Sequence, residues 1–169
     1  MIKNALSAFL TGWLFSNLQF SFLMLLQINV SSAYRTYMLI TLAWMAGTVA
    51  GLWIPRLTMR VGIALGLAGY YVSAFLLSKF PFSPATLPIA AVCVALAGLW
   101  AGRFFVVMFH RFKSADRIFF HENNGFILGG ITLFIGFTLW GRPFLMAMPL
   151  VLSLALLMIH RTENKPDYS

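Results

Sequence analysis

Charge is what this sequence has least of. Only 9% of its 169 residues are Asp, Glu, Lys or Arg, and only four of those are acidic. A water-soluble domain needs polar residues to cover its outside, so this scarcity excludes one. Cysteine is rarer still. Cys93 stands alone, which excludes a disulfide frame and a thiolate metal site and leaves a small core residue. Ser, His and acid stand in no nucleophile arrangement, and the glycine pairs are not phosphate loops, so neither an enzyme nor a cofactor is expected. Nucleic acid is excluded as a partner, because the basic residues sit at the ends of apolar runs and form no continuous patch.

What is present instead is apolar length. The chain is 60% hydrophobic and 16% aromatic, and runs long enough to cross about 30 Å of hydrocarbon, roughly 20 helical residues each, recur along it. Six such segments are read, near 4–28, 37–54, 61–78, 87–109, 117–140 and 143–160. They are separated by "NVSSAYR", "PRLTMR", "SKFPFSP", "HRFKSAD" and "GRP", with Pro55 stopping the second helix and Pro143 opening the sixth. The expected fold is an all-α integral membrane protein: six transmembrane helices in one bundle with short loops over 1–160, then a short polar tail, 161–169. The first segment is too long for a secretion signal, is interrupted by Asn17 and Gln19, and precedes no small-residue cleavage site, so it reads as a retained helix.

Orientation follows from the basic residues. One set of helix ends carries Lys3, Arg56, Arg60, Arg111, Lys113, Arg117, Arg161 and Lys165, with Arg103 nearby; the other carries Arg35, Lys79 and Arg142. The positive-inside rule then places both termini in the cytoplasm, in a bacterial inner membrane, and the net charge of +8 is mainly a topology signal. Tyr34, Tyr37 and Trp140 are expected at the outer interface and Trp53 at the inner one.

Helices in lipid gain little from hydrophobic burial against each other and rely on close contact through small residues. Four segments carry a glycine pair at four-residue spacing: Gly47 and Gly51, Gly62 and Gly66, Gly98 and Gly102, Gly125 and Gly129. These are read as packing grooves, at least one of them facing another chain. The first helix adds a polar stripe through Gly12, Ser16, Gln19 and Gln27. Asn17 and Gln19 are candidates for a ligand site, against the plainer reading of hydrogen bonds between helices.

The most polar stretch is "RIFFHENNGFILGG", residues 117–130. If Asp116 caps the fifth helix, Glu122 lies about 9 Å inside it, while Arg103 lies about 10 Å from the same end of the antiparallel fourth helix. Charges at such depth usually pair or face a cavity. The expectation is a buried Arg103–Glu122 ion pair, with His121 and Asn123 or Asn124 completing its hydrogen bonds, acting either as a clamp between helices or as a gate to the cytoplasm. His110, His121 and His160 fall at or near helix ends, where His is a common interfacial group, and without the spacing or clustered acids of a ligand set; no metal is expected.

"LLQINVSSAYRTYMLITLAWMAGTVAGLWIPRL" and "FFHENNGFILGGITLFIGFTLWGRPFLMAMPLVLSLALL" resemble the membrane domain of bacterial spermine/spermidine synthase-like proteins. The likeness rests on a Ser-Tyr turn leading into a Gly-rich helix, an acid three residues before a Gly, a second Gly four further on, and a turn at Gly. On that resemblance Glu122, Gly125, Gly129 and Gly141 take the acid, glycine and turn positions. Gln19 stands where the family usually has a carboxylate, and the soluble domain that transfers the aminopropyl group is absent. The resemblance implies half of a major-facilitator-type bundle, two three-helix repeats of inverted topology. Three roles follow as expectations. The first is a non-enzymatic accessory or assembly subunit of a larger membrane complex. The second is a small transporter formed by two copies, and the third an anchor for a separately encoded aminopropyltransferase-like domain.

Overall fold

Two hydroxyls mark where helices start in this chain. The side chain of Thr58 accepts from the Val61 amide, and that of Ser114 from the Arg117 amide, each satisfying one of the donors a helix leaves open at its first turn. The computed structural model describes the backbone of residues 2–30, 33–81 and 83–163. The expected tail lies mostly outside the described residues, Lys165 and Asp167 included, and so do Ser31 and Ser32 of the first turn.

Among the described residues there are six helices: α1 (Ile2–Val30), α2 (Ala33–Leu52), α3 (Met59–Lys79), α4 (Thr86–Phe112), α5 (Ala115–Trp140) and α6 (Arg142–Glu163). Five of them, all but α2, are long and apolar enough to cross a membrane. The sequence suggested six crossings. α2 has the length, 20 residues, but it opens on Tyr34, Arg35, Thr36 and Tyr37, which dilute its apolar stretch.

The chain divides into two compact units, Met1–Asn17 with Met108–Ser169, and Leu18–Val107. In the first unit the start of α1 lies against α5 at backbone distance. A methyl on Gly12 would collide with the Glu122 carbonyl, and one on Gly125 with the Phe9 carbonyl; a Cβ on Gly129 would stand 2.7 Å from the Ser16 Cβ. Beyond α5 the chain turns at Gly141, whose φ of 61° and ψ of −141° suit a residue without a Cβ. Trp140 then stacks on Phe144, centroids 5.8 Å apart. Pro149 lies inside α6, where its ring removes one helical donor and favours a bend.

The second unit is built on a two-way seam between α2 and α4. Methyls on Gly47 and Gly51 would strike the carbonyls of Ala95 and Leu99. In return, Gly98 and Gly102 accommodate the carbonyls of Trp44 and Thr48. α3 closes on the same α4: Gly62 admits the Trp100 side chain and Gly69 the Cys93 carbonyl. Tyr70 and Phe22, both fully buried, meet edge to face at 5.2 Å. In lipid it is this dense contact, more than removal of apolar area from water, that holds helices together.

All four glycine pairs therefore have partners inside their own unit. α4 alone is met by four glycines of other helices, Gly47 and Gly51 from α2 and Gly62 and Gly69 from α3. Outward-facing positions are instead large and apolar, such as Leu42, Met45 and Val49 on α2 and Ile127 and Ile131 on α5.

Candidate functional site

The polar stretch of α5 begins with a cap one residue pair earlier than the sequence suggested. Ser114, not Asp116, caps the helix, and the Ser114 hydroxyl donates to the Asp116 carboxylate at 2.9 Å. Glu122 then lies about 10 Å along the helix from Ala115. Its side chain is buried, 7% exposed, with its own carbonyl against Gly12. Among the described residues its carboxylate has no hydrogen-bond or ion-pair partner.

Arg103 belongs to the other unit, where its Nη2 donates to the Pro55 carbonyl at 2.7 Å. This bond ties α4 to the connection between α2 and α3. That connection has ended one helix and not begun the next, so its carbonyls lack helical donors, and a guanidinium supplies one. The Arg103 Nε is buried without a hydrogen-bond acceptor among the described residues.

Nor do the neighbours of Glu122 gather around it. Successive helical residues turn about 100°, so when Glu122 faces inward the next two cannot. Asn123 and Asn124 are exposed, and Asn124 Nδ2 donates to the Phe120 carbonyl of its own helix at 2.6 Å. His121 is half-buried between two phenylalanines, its ring 5.9 Å from Phe112 and 5.3 Å from Phe120.

Asn17 is fully buried, and its Nδ2 reaches the Gly129 carbonyl of α5 at 3.3 Å; its Oδ1 has no partner among the described residues. Two turns of glycine seam bring that carbonyl within reach. Trp13 Nε1 donates to the Thr132 hydroxyl at 3.0 Å, one further bond along the same seam. Gln19 is half-buried and belongs to the other unit. Cys93 is buried, His110 exposed and His160 half-buried. No group of three or more His, Cys, Asp or Glu suited to a metal occurs among the described residues.

Sequence reasoning passed over the juxtaposition of the N-terminal turn of α1 with the α4–α5 connection. Asn4, Arg111, Lys113, Arg117 and His121 there line a cavity of ≈ 470 Å³. The basic run "HRFKSADR" was its only signal, and that run served equally well as a topology marker.

Five long apolar helices define the class: an all-helical, multi-pass membrane protein. Its sequence matches no family model, no curated protein and no solved structure. Of the resemblance to a synthase membrane domain, what stands is this coarse content, several long apolar helices in an all-helical chain.

Proposed function

We propose that the protein is a non-enzymatic accessory or assembly subunit of a larger membrane complex, with six crossings and both termini in the cytoplasm. The observation that supports this reading is the pair of exposed amides on α5. Asn123 and Asn124 share the helix's outer side with Phe120, Ile127 and Ile131, all exposed. α5 has 26 residues, about 39 Å of helix against about 30 Å of hydrocarbon. A centred helix thus puts Asn123, about 12 Å from its start, several ångströms below the interface. Polar side chains at that level are satisfied by other helices. Asn124 uses one N–H on the Phe120 carbonyl, which leaves its amide oxygen for a donor from outside.

A photo-crosslinking residue at position 124 tests this in intact membranes. A discrete adduct with a different chain is the expected result, and N123L/N124L, without the crosslinking residue, should no longer co-purify with that chain. A chain that forms no adduct there and purifies alone overturns it. An adduct of twice the chain's mass favours the second reading, a transporter built from two copies, for which Glu122 is the specific support: an intramembrane carboxylate without a partner among the described residues is the kind of group that carries a proton across a membrane.

A further inference from the structure

The cavity at the α4–α5 connection is built from three short pieces of one unit. α4 ends at Phe112, Lys113 takes a left-handed conformation with φ 54°, its amide donating to the Phe109 carbonyl at 2.9 Å, and Ser114 caps α5. This two-residue turn brings Arg111, Lys113 and Arg117 to one mouth, and Asn4 joins them from the first turn of α1. One acid stands in the same turn, Asp116. It is exposed, accepts from Ser114, and is not among the lining residues. The rest of the wall is apolar: Ile2, Ala5, Phe112 and Phe120, with the His121 ring between the two phenylalanines.

We propose that this cavity is a binding site for an anionic phospholipid, the phosphate held by Lys113 and Arg117 and the glycerol and first acyl carbons lying along Phe120 and Phe112. This goes beyond the subunit reading and does not depend on it. Three observations select such an amphiphile over a free anion. The lining combines cations with aromatic and aliphatic side chains and includes no acid. The volume, ≈ 470 Å³, lies within the range of small-molecule sites and exceeds what a lone phosphate needs. The cavity also lies at helix ends of a membrane protein, the level at which headgroups sit and at which Lys and Arg attract anionic lipid. Arg supplies a planar fork for phosphodiester oxygens and Lys a point charge, and a lining with cations and no acid disfavours a headgroup that adds its own cation, so net charge distinguishes an anionic lipid from a zwitterion.

Native mass spectrometry of the full chain in neutral detergent tests this, with short-chain phosphatidylglycerol, phosphatidylcholine and inorganic phosphate as probes. The expected result is one tightly held phosphatidylglycerol per chain, at least tenfold tighter than phosphatidylcholine. K113Q/R117Q should lose at least tenfold in that affinity, while R56Q/R60Q, which removes two exposed cations of the other unit, should leave it unchanged. All four side chains are exposed, so both variants are expected to fold, and matching melting curves verify it. Equal affinity for the two lipids, or equal losses in the two variants, reduces the effect to general surface charge and overturns the proposal. Displacement of the lipid by equimolar inorganic phosphate overturns it too, by making the site one for a free anion.

Discussion

A charged side chain inside a membrane protein needs a partner, and the two central ones here differ in whether they have it. Arg103 holds the Pro55 carbonyl, and hydrogen bonds from a charged donor contribute about 1.5–3 kcal/mol. R103A should therefore destabilise the chain by about that amount in reversible unfolding from mixed micelles, with R103K recovering part of it. Glu122 is buried, and no cation among the described residues holds it. E122Q, which keeps the shape and removes the ionisable proton, should change stability by less than about 1 kcal/mol, whereas breaking a true buried ion pair costs about 3–5 kcal/mol. A loss of the larger size would mean that a cation does hold the carboxylate. If the chain is a proton-coupled transporter, the same E122Q protein would fold normally and fail to transport.

At the scale of helices, glycine positions that look alike in sequence are unequal. Gly47 faces the Ala95 carbonyl with no space for a methyl, while a Cβ on Gly66 would meet Leu18 and Ala97 at ordinary distances, 3.5–3.7 Å. G47A should force α2 from α4 and cost several kcal/mol, of the order seen for severe overpacking, and G66A should stay within about 1 kcal/mol. Comparable effects at the two sites would show that the α2–α4 seam is looser than its geometry. Gly141 presents a different case, with open space around it and a positive φ. G141A meets no atom but must adopt a conformation that costs an L-residue about 1–3 kcal/mol, which thermal unfolding of the variant would measure. The four-residue spacing of the pairs was legible from the sequence. Which neighbour each pair meets was not, since the spacing fixes a face of the helix but not what is packed on it.

For the molecule as a whole the number of helices that cross sets the topology. Five have the required length and apolarity, and α2 has the length alone. Crossing by α2 makes the number even and puts residue 3 and the 161–169 tail on one side; without it they lie on opposite sides. Single cysteines at position 3 and beyond 163, in a chain with Cys93 replaced by Ala, should both be labelled by an impermeant thiol reagent only after the cytoplasmic face is opened. Labelling of one from each side would show that α2 does not cross and would overturn the charge-based topology.

Composition alone determined the class, because long apolar runs with charges only near their ends suit hydrocarbon, and helix lengths followed from the bilayer's thickness. The six helices fall where apolar runs, prolines and caps put them: α3 begins after Thr58 and α6 after Gly141. Tertiary structure decided the rest. The partner of Arg103 is one such decision, since depth along a helix is one coordinate, and the azimuth and neighbours of each helix are set by packing. Pro55, an unremarkable stop signal in the sequence, supplies the carbonyl that Arg103 takes. Asn123 and Asn124 turn away from Glu122 by the pitch of the helix itself, once the glycine face of α5 is committed to α1. The basic turn at 111–117 becomes one wall of a cavity only because α1 begins beside it, a juxtaposition of residues more than a hundred positions apart that no local pattern encodes.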